Sequence, residues 1–363
     1  MNLFNFNLLS GRPKAFGLEI EDDSLKAFRL EKSRRGFEVA AFGKKNIKKG
    51  ILNFGQVADA EELAREIKGL LISTRPKAID TKYVVFSVPE TKSFIRTIKI
   101  PKMSRAEASE AVKWETEANI PISVDKVYLD WQVIGSEKGQ DEVLVAAVPK
   151  NIVDDYCKAV MLAGLAPLVV EIDLIAAIRS LTTERNNRAP ALIADVGARR
   201  TGLTICKNQI PYFSSSIPLS GKAFTEAIQK ELGISEEKAE KMKIKYGLGK
   251  MKESDTLYKI YNPLIEGLVS GIDKSITFYN ESINKKEKVN KIVLSGGGSL
   301  LKEMRSYLSL KVKKEVVFGN PLKNIAPGGN LPPALEKETA FYATAIGLAL
   351  RGADYEGYYQ CSA

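Results

Sequence analysis

Short apolar runs separated by polar or glycine-containing turns dominate the first ninety residues, and they read as strands. Phe16-Gly17-Leu18-Glu19-Ile20 and residues 25–30 flank the acidic turn Glu21-Asp22-Asp23-Ser24, which predicts a hairpin. A third strand is expected over residues 36–42, a helix over 60–72, and a buried strand over 83–88 that Pro89 stops. Residues 93–167 form a unit in which strands flank two helices. Ser104 and Glu107 have the spacing of a capping box, and Ala108, Ala111, Val112 and Ala118 are placed on one face of a helix that ends before Pro121. Strands follow over 127–134 and 142–148. A second helix over 152–163 aligns Val153, Tyr156 and Val160 and stops at Gly164, with Pro167 beyond.

From residue 190 the pattern starts again. A strand over 191–195, a glycine-containing turn and a partner strand over 202–205 repeat the logic of the first hairpin. Helices are expected over 221–231, 235–246 and 263–282. The strand over 291–294 then runs into Ser295-Gly296-Gly297-Gly298-Ser299, with a helix starting near Leu301. Two similar halves with one inserted α+β unit are therefore expected.

Composition narrows the chemistry. At 363 residues the chain exceeds the size at which a single core keeps growing, so two lobes are expected. With 44% hydrophobic and 27% charged residues it resembles an ordinary globular protein, and no window approaches the roughly 20 apolar residues of a membrane span. The start, Met1 to Pro13, lacks the features of a secretion signal, so a cytoplasmic location is expected. The absence of histidine excludes Ser-His-Asp chemistry and His-ligated zinc. Cys157, Cys206 and Cys361 are scattered and odd in number, which argues against disulfides and CxxC metal sites. The net charge of +10 is spread over short lysine groups, such as residues 44–49 and 285–288, without interleaved aromatics. These are expected to be solvated faces, and no nucleic-acid partner is expected.

Three motifs could carry chemistry. Asp195-Val196-Gly197-Ala198-Arg199-Arg200-Thr201 has the D-x-G-x-x-x-T form of a phosphate-gripping hairpin. In such a turn backbone N–H groups meet oxyanions, and the strand-end carboxylate can hold magnesium through water. An ordinary hairpin turn is the alternative. The glycines at 296, 297 and 298, followed by Ser299, could let a base or phosphate approach a helix N-terminus, or simply form a tight turn. Glu240 and Lys243 share a helix face, where they could hold a ribose hydroxyl and flank a purine or form a surface ion pair.

A first hairpin, a D-x-G-x-x-x-T hairpin about 175 residues later, a helical E-x-x-K and a late G-G-G stand in the order of the actin-like ATPase superfamily, which the chain resembles. Within it, Ser93-Phe94-Ile95-Arg96, the run from Trp114 to Pro121, the run from Val127 to Val133, Ala163-Gly164-Leu165 and Ser220-Gly221-Lys222-Ala223-Phe224-Thr225 resemble the PilM family of type IV pilus assembly proteins, over about residues 16–350. The resemblance implies an α/β, actin-like two-lobed fold of duplicated ribonuclease-H-like domains with an inserted α+β subdomain. The expected parts are 13–92, 169–190 and 335–363 for the first lobe, 93–168 for the insert, and 191–334 for the second lobe, with a helical part over about 221–285.

The same resemblance implies a cleft for ATP or ADP with magnesium. It would be lined by Ser24, Lys26, Asp195, Gly197, Ala198, Arg200, Thr201, Glu240, Lys243, Gly296, Gly297, Gly298 and Ser299, with Asp195 and Glu19 as candidate magnesium-facing carboxylates. It further implies a scaffold at the inner face of the cytoplasmic membrane, also for related type II secretion platforms. Its partner would be the cytoplasmic N-terminal tail of a PilN-like membrane protein, docked near residues 93–168. Pilus assembly ATPases and a second copy of the chain are further expected partners.

The chain departs from the family pattern in the first hairpin, where Glu19 and Glu21 replace the usual Asp and Gly of D-x-G-x-x-x-x-K while Lys26 is kept. The extra side chain and charge are expected to weaken a phosphate grip. The acidic turn reads either as a solvated hairpin tip or as a metal-mediated site. Asp173, near the expected water position, is the one catalytic candidate, and a slow or absent ATPase is expected. The rivals are an active actin-fold ATPase or kinase, which needs an intact first hairpin, and an FtsA-like membrane tether. The tether needs a basic amphipathic tail, which Arg351 to Cys361 does not provide.

Overall fold

The computed structural model describes residues 14–34, 36–120, 122–183, 188–249, 255–325 and 333–353. Pro121, Cys361, the Met1–Pro13 start and residues 354–361 of the closing segment, all used above, lie outside that set.

β1 (Phe16–Ile20), β2 (Ser24–Ser33) and β3 (Gly36–Asn46) form the antiparallel start of the first sheet. A small hairpin of β4 (Leu52–Asn53) and β5 (Gln56–Val57) leads to α1 (Ala60–Ser73), whose N-cap Asp59 accepts from the Glu62 amide. β6 (Tyr83–Val88) pairs parallel with β1.

The insert follows, with β7 (Phe94–Pro101), α2 (Arg105–Asn119), β8 (Val127–Glu137) and β9 (Gln140–Pro149) making a three-stranded sheet in the order β7-β9-β8. The Ser104–Glu107 capping box is present, and α2 buries Ala108, Val112 and Thr116 against Ile100, Val143 and Val145. Ala118, placed on that face above, is exposed instead, because the inward stripe advances in steps of four from Ala108 and turns away by residue 118. α3 (Lys150–Leu162) returns the chain to the first sheet through β10 (Ala166–Ile172), and α4 (Asp173–Leu181) leaves it.

The second half repeats this topology. β11 (Ala191–Val196), β12 (Thr201–Lys207) and β13 (Ile210–Ile217) are antiparallel neighbours. α5 (Gly221–Leu232), α6 (Glu236–Tyr246) and α7 (Thr256–Phe278) precede β14 (Lys291–Ser295), α8 (Met304–Val312) and β15 (Glu315–Phe318). The sheet orders β10-β6-β1-β2-β3 and β15-β14-β11-β12-β13 are the same arrangement twice, two parallel pairings on one side of the first strand and two antiparallel ones on the other. This is the α/β duplication that the two hairpin patterns predicted.

α7 starts seven residues before the expected position, with Pro263 inside it. Pro263 has no N–H to give the Lys259 carbonyl four residues earlier, so one bond of the ladder is missing inside the helix. α9 (Pro333–Glu338) and α10 (Ala343–Ala353) close the described chain. α1 and α3 cover one face of the first sheet, and α4 and α10 cover the other. Gly17 admits α10, since a Cβ there would lie 2.4 Å from the Ala345 carbonyl oxygen. α4 touches both sheets, contacting β6 and β10 of the first and β12 and β13 of the second, so it forms the floor between the halves. Among the described residues no helix is long and apolar enough to cross a membrane.

Candidate functional site

The two hairpins face each other across the floor made by α4, and their turns carry the charged groups of the cleft. In the first, the Glu21 amide donates to the Ser24 carbonyl at 2.9 Å, and the Ser24 hydroxyl donates to the Glu21 carboxylate at 2.9 Å. The turn is thus closed on itself. Lys26 extends beneath it and donates to Glu19 at 3.0 Å and to Glu21 at 2.5 Å. Glu19 and Lys26 are about 5% exposed, while the turn residues Glu21, Asp22 and Asp23 are half-buried, so the lysine is buried beneath a partly open acidic turn.

Burial lifts the Glu19 carboxyl to about 8, against the attraction of Lys26 and with the help of Glu21 and Asp195. Burial also pushes Glu21 upward, but Lys26, with the Ser24 hydroxyl and Lys44, outweighs it and the net direction is down. Lys26 is held above its ordinary range, because the two carboxylates overcome the cost of burying its ammonium. One oxygen of Glu19, Oε2, is buried with no hydrogen-bond partner. The other acids of the turn are also engaged: Asp22 accepts from the Gly55 amide at 2.8 Å, and Asp23 holds Arg199 through two bonds of 2.5 Å.

On the opposite side, Gly197 donates to the Arg200 carbonyl at 2.9 Å, and its own carbonyl accepts from the Gly221 amide at 3.0 Å, which ties the Asp195 turn to the start of α5. Burial, then Glu21, raises the Asp195 carboxyl, although Lys26 pulls the other way. Glu19 and Glu21 thus pair with one buried ammonium, whose charge also acts on Asp195. Among the described residues no group of three or more ligand-type side chains is arranged to hold a metal ion directly. On α6, Glu240 and Lys243 pair at 2.7 Å. Lys243 also donates to the Gly221 carbonyl and to Thr225, both at 2.9 Å, and Thr225 donates to Glu240 at 2.5 Å. The E-x-x-K pair is therefore part of the joint between α5 and α6 as well as part of the cavity wall.

The glycine turn corrects an expectation. Ser295 is followed by a single 3-10 turn over Gly297–Leu300, and Glu303 takes a left-handed conformation (φ 63°) before α8 begins at Met304. The α-helix expected to start near Leu301 starts only at Met304, so no α-helix N-terminus stands at the glycines. The glycines meet protein instead. Gly296, at φ 78°, would place a Cβ 2.5 Å from the Val196 carbonyl oxygen, Gly298 would meet Val196, and Gly297 would meet the Phe341 ring at 2.1 Å. Ser299 is fully buried and donates to the Gly296 carbonyl at 2.7 Å.

A cavity of about 740 Å³ brings together Glu19, Ser24, Lys26, Asp195, Gly197, Ala198, Glu240, Lys243 and the three glycines. Ser299, Thr201 and Arg200 lie outside its wall. Thr201 is buried and donates to the Leu219 carbonyl at 2.8 Å. Arg200 lines a second cavity, of about 470 Å³, on the far side of the hairpin turns. Asp173 lies in that second cavity, where it accepts from the amides of Glu90 at 3.0 Å and Leu174 at 2.7 Å and faces Arg200 at 3.4 Å. Burial raises its carboxyl to about 7 although Arg200 opposes it. Lys44 and Phe341 also wall the larger cavity, and Thr225 braces it. Thr225 ends the Ser220–Thr225 run noted above, whereas Lys44 and Phe341 belong to no site motif, and the all-polar Lys44-Lys45-Asn46 gave no alternation from which to read the facing of Lys44.

A family model described as type IV pilus assembly protein PilM matches residues 17–353. Among solved structures, the PilM-PilN type IV pilus biogenesis complex is similar at 29% identity and a TM-score of 0.82, over 95% of this chain and all of that one. MreB5 of Spiroplasma citri bound to AMPPNP is similar in fold, at 14% identity and a TM-score of 0.52, over 93% of this chain and 96% of that one. The cell division protein FtsA of Buchnera aphidicola subsp. Baizongia pistaciae is 27% identical over 235 residues, 58% of this chain and 54% of FtsA; the chain thus spans about half the length of the curated relatives it matches. The duplicated sheets, the inserted three-stranded unit and the facing hairpins are those of an actin-like fold, and the chain belongs to the family of the type IV pilus assembly protein PilM.

Proposed function

We propose that this protein is a scaffold of the type IV pilus inner-membrane assembly platform that recruits the cytoplasmic N-terminal tail of a PilN-like membrane protein. The observation that carries this is the likeness, at 29% identity and over 95% of the chain, to a PilM captured with PilN. The tail is assigned to the junction between the insert, residues 93–168, and the lobe that carries it. Attachment to the membrane is through that partner.

In the same reading the larger cavity takes ATP or ADP weakly. Its volume is in the range of small-molecule sites, and Glu240 and Lys243 offer a carboxylate and an ammonium to a ribose and base. The phosphate end fits less well, because Lys26 already serves two carboxylates and Glu21 stands where a glycine would open the backbone. Magnesium, held through water by Asp195 and Glu19, would offset part of that repulsion when a nucleotide binds. Turnover is slow or absent in this reading: both Asp173 oxygens are engaged, and the group sits in the other cavity. Titration of a peptide of the PilN-like tail into the protein, with and without nucleotide, tests the scaffold. Saturable binding in both conditions is expected, and binding in neither contradicts it.

A further inference from the structure

Lys44 on β3 lies directly opposite Lys26 on β2 in the antiparallel register, so the two side chains rise from the same face of the first sheet into the larger cavity. Their circumstances differ. The Lys26 ammonium is bound to two carboxylates at 3.0 and 2.5 Å. Lys44 makes no ion pair among the described residues. Its ammonium rests 4.3 Å from the centroid of the Phe341 ring, which fills the hollow left by Gly297. Burial, and then repulsion from Lys26, hold the Lys44 amine below its ordinary range, although Glu21, Glu338 and Glu19 pull the other way. It stands at the open edge of the cavity, exposed to solvent and without a carboxylate partner among the described residues, beside a turn whose own lysine is already matched. Lys49 from the first half and Lys222 from the second border the same cavity, which Glu19, Glu21 and Asp195 also line.

We propose that Lys44, in place of Lys26, is the cation that meets the phosphate chain of a nucleotide in this cavity, an inference that rests on the proposed nucleotide reading of the site. A phosphate placed there gains a charge-assisted contact without displacing a carboxylate, whereas one placed at Lys26 must compete with two. Phe341 keeps the Lys44 stem extended over the glycine turn and so sets where that phosphate lies.

Calorimetry with magnesium-ADP, and with adenosine as the phosphate-free probe, tests this on the wild-type protein, Lys44→Ala and Lys44→Arg. Lys44→Ala is expected to weaken ADP binding by roughly tenfold and to leave adenosine binding unchanged, with Lys44→Arg close to wild type. Wild-type ADP binding that Lys44→Ala does not alter overturns the assignment and leaves the nucleotide reading standing. So does an equal loss for ADP and adenosine, which would place Lys44 against the base. Failure of the wild type to bind either probe overturns both.

Discussion

Glu19 and Lys26 share a hydrogen bond in a place where both are about 5% exposed, and both groups hold their protons more tightly than usual. The carboxyl rises to about 8 because burial penalises its charge more than the ammonium favours it. A folded chain that holds this proton more tightly than the unfolded one loses stability as pH rises from the ordinary carboxylate range, about 4.5, up to about 8, and recovers it as pH falls. Asp173, at about 7, acts in the same direction. Glu19→Gln removes the larger part of this dependence. Its melting temperature should therefore fall less between pH 5 and pH 8 than that of the wild type, and parallel curves in differential scanning fluorimetry would show that Glu19 is ionised in the folded state. The types and spacing of Glu19, Glu21 and Lys26 were visible in the sequence. Their mutual bonding was not, because a polar turn reads as solvated until the second hairpin is seen to cover it.

At the scale of elements, local signals located most strands and helices and missed what depended on distant neighbours. The capping box at Ser104 and the strand over residues 83–88 stand where hydrogen-bond chemistry and apolar runs put them. Pro263 signalled a helix start, yet α7 accommodates it because apolar positions before and after it, from Tyr261 to Ile276, all pack on the second sheet. The three glycines promised a helix N-terminus and instead pack closely against Val196 at the end of the neighbouring strand and against Phe341, both distant in the chain. Gly347 shows the same requirement on α10. A Cβ there would lie 1.8 Å from the Ala176 carbonyl oxygen on α4, where two helix backbones meet and neither can yield. Gly347→Ala should cost about 3 kcal/mol by overpacking, read as a lower denaturant midpoint. An unchanged midpoint would mean that α10 sits farther from α4.

For the whole molecule, duplication was legible because both hairpins announce themselves, and repetition of the sheet order follows from them. The relation between the halves was not legible. It depends on α4 lying under both sheets and on cross-cleft pairs, Asp23 with Arg199, Asp173 with Arg200 and Glu90 with Ser214, each joining residues far apart in the chain. These pairs occupy the arginines of the second hairpin turn with the protein's own carboxylates, and Lys26 is occupied in the same way. The cleft is therefore polar and tied across at its centre, while Glu240 and Lys243 wall the larger cavity. The central claim is that the phosphate end of the cleft is satisfied from within. Calorimetry with magnesium-ATP on the wild type and on Glu21→Gly tests it most directly. Weak wild-type binding that tightens by roughly tenfold on removing one charge partner of Lys26 is the predicted result, and tight wild-type binding that Glu21→Gly leaves unchanged would contradict it.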